Sequence, residues 1–407
     1  MQEVKLQTIN DSYYHEVLDN GLEIIIISNP LITEQSAKFL VRCGSNDVID
    51  YAPGIAHFLE HTKFAKKDGD YFDDFSKYGA DCNAYTNYQE TAYYFTCNQN
   101  FYDNLKVLIN MMQESNFTKE VVDKEFSIIC QEINMYKQMP DSVINNMLFN
   151  AISQKEYKHD IAGEIIDIET IDNNKLQSVY DHYYVANNMT LAIATNHDAN
   201  EVIKFIKENI NLNTNDNINF DYTPETSRVN EEELIKIDNK LTTSLSSYVY
   251  KLDKESSGVT PLDLISLEVY RIANFSKLNP DFVSKLANKE LDETLSVFNY
   301  LTMDLSLISF DANTNDKSIA KAIDDISTPK FELFEMALNS YVGSEIKKAS
   351  NKRLLIEKIQ ELMFLGIDPK KYFDMLLSVD INDLYKNVNK LLANKKTSLI
   401  TLKNDKI

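Results

Sequence analysis

The sequence predicts an α+β protein made of two α/β domains, and two observations carry that prediction. Stretches with the two-residue period of strands alternate with stretches with the 3.6-residue period of helices. A polar segment rich in Asn, Asp and Thr, residues 211–230, interrupts this alternation, and the pattern starts again after it. We therefore expect a first domain over residues 1–210, a linker over 211–230 and a second domain over 231–407.

The first domain is predicted to open with a β-hairpin. Asp19-Asn20-Gly21 favours a tight turn, and the apolar run that begins at Leu22 is typical of a buried strand. Alternation then predicts strands over 35–43, 81–87, 90–97 and 187–195. Helical periodicity predicts helices over 54–62, 72–79, 101–116, 120–133, 142–152, 171–183 and 202–210.

The second domain is predicted to repeat this order. Strands are expected over 234–237, 241–250, 294–302, 306–314 and 398–402, and helices over 261–275, 280–287 and from residue 317 onward. The second half therefore looks like a copy of the first without its histidine motif.

The predicted helix over residues 54–62 carries a metal-binding pattern. His57 and His61 are four residues apart, so their imidazoles lie on one face of the helix, one turn apart. Glu60 lies beside them and can reach a water held on a shared ion. Two His, a Glu and no Cys suit Zn²⁺ with an open coordination position, and the order His-x-x-Glu-His is the inverted zincin motif. The alternative is an ordinary amphipathic helix with two surface histidines.

A third ligand is expected on the predicted helix over 120–133. Glu125 and Glu132 are two helical turns apart and therefore share a face. Ile128, Ile129 and Ile133 are expected to supply apolar packing for the same helix. Either carboxylate suits a site with two imidazoles, and the alternative is that both are solvated surface charges.

Composition and charge exclude several classes of protein. The net charge of −21 argues against a nucleic-acid partner, because phosphates would be repelled. No apolar run approaches the ~18 residues of a membrane helix, so no membrane insertion is expected, and no signal peptide is evident. The four cysteines lack Cys-x-x-Cys spacing, which favours reduced thiols in a cytoplasmic protein; a Cys82–Cys97 disulfide is the alternative.

The histidine motif, its Gly-Ile-Ala-His-Phe-Leu-Glu-His setting and the distal glutamate pair resemble the pitrilysin/insulinase family of zinc peptidases, which includes mitochondrial processing peptidase. In that family the distal ligand follows a second Glu by seven residues. The resemblance therefore implies that Glu132 is the third zinc ligand and that Glu125 is a supporting catalytic acid. It also implies two homologous domains with mostly antiparallel sheets flanked by helices, together forming half of a clamshell.

The resemblance also implies a substrate-binding strand. In the resembling family the segment that matches Asn83, Ala84, Tyr85 and Thr86 is an edge strand that pairs with the substrate backbone. Pairing of this kind uses free backbone groups and tolerates many side chains. The alternative is an ordinary strand pair.

One departure from the family pattern suggests that the chain works with a partner subunit. Many members hold the substrate carbonyl with an Arg and a Tyr of a second domain, and the corresponding stretch here, residues 285–296, has neither. In the split members one subunit carries the zinc motif and the other carries the Arg/Tyr pair. We therefore expect a heterodimer with a homologous subunit that lacks the zinc motif; a homodimer or a monomer with a different clamp is the alternative.

Together these features predict a zinc-dependent endopeptidase that cleaves small unfolded peptides inside a closed chamber, with Glu60 as the general base. A peptidase that processes a leader or precursor peptide is the alternative among enzymes. From a different class, the alternative is a non-catalytic scaffold or partner subunit of the same fold.

Overall fold

The computed structural model describes residues 1–404 and divides into two compact units. The first unit contains residues 1–134, 159–221 and 349–361, and the second contains 135–158, 222–348 and the chain from 362 onward. One of the passages of the chain between the units, at residues 221–222, lies within the expected linker, 211–230. The domains were expected to be continuous in sequence, whereas each unit here also includes a segment from the other half of the chain.

Both units combine strands and helices, as expected for an α+β fold. The strands are β1 (Gln2–Leu6), β2 (Asp11–Val17), β3 (Glu23–Ser28), β4 (Gln35–Val41), β5 (Ala65–Lys66), β6 (Gly69–Asp70), β7 (Ala80–Thr86), β8 (Thr91–Cys97), β9 (Met189–Thr195), β10 (Glu233–Ile237), β11 (Leu245–Lys251), β12 (Ser296–Leu301), β13 (Ser306–Ala312) and β14 (Lys396–Lys403).

The helices follow the predicted order with small shifts of their ends. They are α1 (Ile55–Thr62), α2 (Tyr71–Lys77), α3 (Phe101–Gln113), α4 (Lys119–Tyr136), α5 (Pro140–Ile152), α6 (Ile165–Ile168), α7 (Asn173–Tyr183), α8 (Ala199–Asn209), α9 (Pro261–Asn274), α10 (Pro280–Ala287), α11 (Ser318–Asp324), α12 (Phe334–Ala349), α13 (Lys352–Phe364), α14 (Pro369–Ser378) and α15 (Ile381–Leu392). Within residues 1–404, none of them is both long and apolar enough to cross a membrane.

The two large sheets share one topology. The first has the order β1-β2-β3-β9-β4-β8-β7 and the second has the order β10-β14-β11-β13-β12. In each, one pair is parallel, β3 with β9 and β10 with β14, and the other pairs are antiparallel. The five strands of the second sheet thus repeat the last five of the first in order and direction. This confirms the two homologous domains with mostly antiparallel sheets.

The core of the first unit lies between one face of its sheet and helices α1, α3, α7 and α8. Apolar side chains of β3, β4, β8 and β9 alternate toward this core, as the strand period requires. Across the other face runs the segment 349–361, where the Gln360 amide donates hydrogen bonds to the backbone oxygens of Lys38 and Thr190 at 3.3 and 3.1 Å.

Helix α5 belongs to the second unit although it comes from the first half of the chain, and it packs against β14, β11 and β10. The end of α5 is fixed by Lys251 of β11, whose ammonium group donates to the Ile152 backbone oxygen at 2.6 Å and to the Glu225 carboxylate at 2.6 Å. Each sheet is therefore covered on one face by a helical segment from the other half of the chain: residues 349–361 cover the first sheet, and α5 covers the second. Helical periodicity predicts such helices but does not say which sheet they cover.

Candidate metal centre

The position of α1 is set by a close backbone crossing at its first turn. Gly54 precedes the helix with φ of +91°, and a Cβ atom there would lie 2.4 Å from the Ala162 backbone oxygen. Gly163 is its counterpart, with φ of +71°, and a Cβ atom on it would lie 2.4 Å from the Pro53 backbone oxygen. Only glycine fits this positive-φ geometry without strain and without a clash. The crossing fixes where the helix starts and so where its histidines lie.

Most of α1 is buried, on its polar face as well as on its apolar face. Ile55, Phe58 and Leu59 pack into the core, whereas His57 and Glu60 are 9% and 8% exposed. Burial lowers the pKa of His57, and the charge on His61 lowers it further, to about 4. Burial raises the pKa of Glu60 to about 7. A buried histidine and a buried glutamate with shifted pKa values are typical of a functional site.

Helix α4 brings the third candidate ligand to this face of α1. Val122, Ile129 and Ile133 anchor α4 in the core, whereas Ile128, which was expected to pack with them, is 41% exposed. Glu132 Oε2 lies 3.2 Å from His61 Nε2 and 3.8 Å from His57 Nε2. One ligand atom from each of these three residues lies within 4.8 Å of the other two. The structure thus brings together the three residues that the sequence analysis assigned as metal ligands.

Two imidazole nitrogens and one carboxylate oxygen are a donor set that suits Zn²⁺ with one position left open. The nitrogen of His57 that faces Glu132 is Nε2, and burial lowers the pKa of this ring to about 4, so it is neutral at pH 7, the form that binds a metal ion. The donor atoms, their spacing and their burial therefore fit a zinc ion.

Glu125 contacts the other side of the His61 ring. Its Oε2 lies 3.5 Å from His61 Nδ1, while Nε2 of the same ring faces Glu132. Burial alone would lower the pKa of His61, but hydrogen bonds to Glu125 and Glu132 outweigh it and raise the pKa to about 9. A carboxylate on the far nitrogen of a metal-binding histidine fixes its tautomer and ring orientation. Glu125 thus contacts the nitrogen of the His61 ring that faces away from Glu132.

Glu60 is oriented by the neighbouring sheet. The Thr86 hydroxyl of β7 donates a hydrogen bond to Glu60 Oε2 at 3.0 Å. The family resemblance assigns Thr86 to substrate binding, and the sequence does not predict its contact with Glu60. A strand residue 26 positions away from a helical glutamate leaves no local pattern in the sequence.

The four residues expected to bind substrate all lie on β7, at the edge of the first sheet. Asn83 Oδ1 accepts a hydrogen bond from the Ala84 backbone N–H at 2.8 Å, and Tyr85 donates to Glu90 at 2.9 Å. Within the described residues no strand other than β8 pairs with β7. On the side of β7 that faces away from β8, the backbone N–H and C=O groups are therefore not paired with another strand of the described residues.

The stretch without the Arg/Tyr pair, residues 285–296, lies in the second unit. It runs from the last turn of α10 to the first residue of β12. Lys285, in that last turn, donates hydrogen bonds to Glu290 at 2.8 Å and to Asp325 at 3.2 Å.

Two family models match the chain. The model described as Insulinase (Peptidase family M16) matches residues 23–164, which include both histidines of the motif, Glu60 and the glutamates of α4. The model described as Peptidase M16 inactive domain matches residues 170–328. Together these matches extend over most of the chain.

Individual curated proteins that resemble this chain also carry peptidase names. The uncharacterized zinc protease YmfH of Bacillus subtilis is 36% identical over 217 residues, which is 51% of this chain and 51% of YmfH. Mitochondrial-processing peptidase subunit beta of Blastocladiella emersonii is 26% identical over 198 residues, 47% of this chain and 43% of that subunit. The aligned region spans about half the length of these curated relatives.

A solved structure matches the whole fold. The crystal structure of an M16-like peptidase from Alicyclobacillus acidocaldarius superposes with a TM-score of 0.87 at 23% identity, over 96% of this chain and 97% of that one. At this identity the match concerns the fold alone.

Proposed function

The chain belongs to the insulinase family of peptidases, peptidase family M16, and from that premise we propose that it is a zinc-dependent endopeptidase acting on small unfolded peptides. The observation that carries the proposal is the convergence of His57, His61 and Glu132, with Glu60 buried next to them. A scaffold protein of the same fold has no need for this donor set. Relatives named as zinc proteases support the same assignment.

His57, His61 and Glu132 would hold the zinc ion through two ring nitrogens and one carboxylate oxygen. Zinc bound there supplies Lewis-acid chemistry, lowering the pKa of water and polarising the scissile carbonyl. Glu125 holds the His61 ring in place through Nδ1.

Glu60 is proposed as the general base. It accepts a proton as water attacks the scissile carbonyl carbon, and it then gives that proton to the amine that leaves when the C–N bond breaks. A carboxyl group whose pKa is raised by burial to about 7 is suited to both transfers near neutral pH. The Thr86 hydroxyl keeps Glu60 Oε2 oriented in this role.

The substrate is proposed to bind as an added strand along β7, at Asn83, Ala84, Tyr85 and Thr86. The Ala84 N–H now bonds its neighbour Asn83, and an incoming strand would offer a carbonyl in exchange. Because Thr86 belongs to this strand and also contacts Glu60, one strand would align the peptide and the base together. This requires an extended peptide, which favours unfolded substrates over folded ones.

We also propose a heterodimeric assembly with a homologous subunit that lacks the zinc motif and supplies the Arg/Tyr pair. Residues 285–296 contain neither residue type, so another subunit would have to close the chamber and clamp the carbonyl. The similarity to a processing-peptidase beta subunit favours removal of a leader or precursor segment as the reaction. The four cysteines are free in the structure, which suits a reducing compartment such as the cytoplasm.

A peptide-library digest read by mass spectrometry tests the proposal. The chain would be assayed alone and together with a homologue from the same genome that lacks His-x-x-Glu-His. We expect cleavage with the pair, loss of cleavage after chelation and recovery on adding one equivalent of zinc. Absence of bound zinc at neutral pH, with no cleavage in either preparation, would instead identify a scaffold subunit. Full activity of the isolated chain would refute the heterodimer and leave the peptidase in place.

A further inference from the structure

Two threonines face each other where the strands β7 and β8 are joined by a turn. Thr86 ends β7 and Thr91 begins β8, and the strand register places them directly opposite one another. Side chains of directly opposed residues lie on the same face of a sheet. Thr86 contacts Glu60 through its hydroxyl, whereas Thr91 is 0% exposed. Thr91 can therefore act on the proposed base through Thr86 but cannot contact a substrate directly.

The turn between the two threonines is held from inside and from outside. Within it, the Asn87 backbone N–H donates to the Glu90 backbone oxygen at 2.9 Å, and Asn87 Oδ1 accepts from the N–H groups of Gln89 and Glu90, both at 2.8 Å. From outside, the Ser45 N–H donates to the Asn87 backbone oxygen at 3.0 Å. A turn held in this way keeps the two threonines in register, so the change that costs least is rotation of their hydroxyl groups.

The hydrogen bonds of the two hydroxyls leave one acceptor unused. A threonine hydroxyl has one hydrogen and two lone pairs. Thr91 donates its hydrogen to the Cys43 backbone oxygen at 2.7 Å, and Thr86 donates its own to Glu60 Oε2 at 3.0 Å. The two hydroxyl oxygens lie 3.4 Å apart, longer than the roughly 2.8 Å of a typical O–H···O bond. Tyr184, whose hydroxyl also contacts Thr91, occupies at most one lone pair of Thr91.

The proposed reaction weakens the hydrogen bond between Thr86 and Glu60 for part of each cycle. An ionised carboxylate is a strong acceptor, and hydrogen bonds to it are about twice as strong as those between neutral groups. Once Glu60 holds the proton taken from water, it accepts more weakly, or it donates if Oε2 carries the proton. The Thr86 hydrogen then needs another acceptor, and Thr91 Oγ1 is 3.4 Å away.

We propose that Thr91 is a positioning residue for the base and acts through Thr86. While Glu60 is ionised, Thr86 donates to it, and while Glu60 holds the proton, the Thr86 hydrogen turns to Thr91 Oγ1. When Glu60 passes the proton to the leaving amine, the hydrogen returns to Glu60. The inference rests on the proposed peptidase function, because it gives Thr91 a part in that reaction.

The first test measures kcat and KM on a peptide taken from the library digest, with the preparation that cleaves it. Thr91→Val keeps the shape of the side chain and removes its hydroxyl. We expect kcat to fall about three- to tenfold, the effect of one hydrogen bond between neutral groups, with KM and zinc content unchanged. Thr91→Ser keeps the hydroxyl and loses a methyl group, and it should restore kcat even where urea unfolding shows a loss of stability.

A double-mutant cycle shows whether Thr91 acts through Thr86. In the Thr86→Val background the hydrogen that Thr91 would accept is absent, so adding Thr91→Val should change kcat by less than about twofold. Thr195→Val is the matched control, because Thr195 is also 0% exposed and its hydroxyl donates to Gln35 Oε1 at 2.6 Å. It should lower stability and leave kcat unchanged.

A crystal structure with a bound phosphinic peptide gives a measurement that does not depend on the folding of any variant. A phosphinate resembles the carbonyl after water has added, and it is expected to share a proton with Glu60. The distance between Thr86 Oγ1 and Thr91 Oγ1 should then shorten from 3.4 Å to about 2.8 Å.

The outcomes separate this inference from the proposed function. An unchanged kcat in Thr91→Val, a loss that persists in the Thr86→Val background, or an equal loss in Thr195→Val would overturn the inference and leave the peptidase in place. An unchanged distance of 3.4 Å in the phosphinate complex would do the same. Absence of cleavage by the parent chain, alone and with its partner, would reject the proposed function and the inference together.

Discussion

At the scale of single residues, the two histidines of the candidate metal centre differ in protonation. His61 lies between Glu125 and Glu132, and with a pKa of about 9 its ring is protonated at neutral pH. His57, with a pKa of about 4, is neutral. Since a histidine binds metal only as the neutral base, zinc has to displace the proton of His61.

Zinc binding at pH 7 should therefore release about one proton per ion and should weaken as the pH falls. Calorimetric titration in buffers with different ionisation enthalpies measures this number directly. In Glu125→Gln the ring loses the hydrogen bond that raises its pKa, so fewer protons should be released and zinc should bind about 10- to 100-fold more weakly. Unchanged affinity between pH 6 and 8 would contradict the protonation state described for His61.

Thr86 should matter for turnover and not for metal content. Thr86→Val keeps the side-chain shape but removes the hydroxyl that donates to Glu60 Oε2. We expect kcat to fall about tenfold, the effect of losing a hydrogen bond to a charged group, with zinc content unchanged. Thr96→Val on the adjacent strand β8 is the matched control. An equal loss in both variants would assign the effect to the sheet rather than to the base.

At the scale of elements, the histidines depend on where helix α1 begins. The backbones of Gly54 and Gly163 are in close contact. The start of α1 is therefore fixed by this contact rather than by a capping side chain. Any side chain at Gly54 would have to move α1 or the segment at Ala162. The geometry of the metal site is therefore coupled to this crossing.

Gly54→Ala should lower the free energy of unfolding by about 3 kcal/mol, from left-handed backbone strain together with the clash on Ala162. It should also weaken zinc binding. Gly366→Ala is the control, because φ is +73° there but a Cβ meets nothing within 4 Å; we expect a loss of about 1 kcal/mol from strain alone. Equal losses in urea unfolding would show that the crossing at Gly54 contributes nothing beyond strain.

The sequence predicted most elements and the histidine motif because these depend on local periodicity and on spacing within one helix. The elements missed were the first strand, β1, the two-residue pair β5–β6 and the four-residue helix α6, which are too short or too polar to show a period. The exchange of 135–158 and 349–361 between units was missed because an amphipathic helix shows a face but not its partner. The contact of Thr86 with Glu60 joins residues far apart in sequence and leaves no local signal.

At the scale of the whole molecule, the two units repeat one strand order, but within residues 1–404 only the first unit has a cluster of residues that could hold a metal ion. The same five-strand order occurs in both sheets, yet the histidine motif belongs to the first unit. In the second unit the most buried charges are structural. Lys251 and Glu225 form an ion pair with side chains 0% and 2% exposed, and Lys251 also donates to the backbone oxygens of Ile152 and Arg228.

Lys251→Met should therefore destabilise the second unit by about 3–5 kcal/mol, because Glu225 would remain buried without its partner. Lys236→Met on the exposed strand β10 is the control and should change stability by less than about 0.5 kcal/mol. Chemical denaturation measures the loss of stability, and hydrogen exchange of the α5 backbone amides shows whether the loss is located there. A loss below about 1 kcal/mol would mean that water reaches Glu225 and that the pair does not fix α5.

The central claim is that three side chains hold zinc while a fourth, Glu60, moves the proton. Measuring metal content and peptide hydrolysis on one preparation of Glu60→Gln tests it most directly, with Glu120→Gln on the exposed start of α4 as the matched control. We expect one zinc per chain in both variants, and a kcat/KM about 10²- to 10⁴-fold lower in Glu60→Gln alone. Full hydrolysis by zinc-loaded Glu60→Gln, or loss of its zinc, would contradict the account.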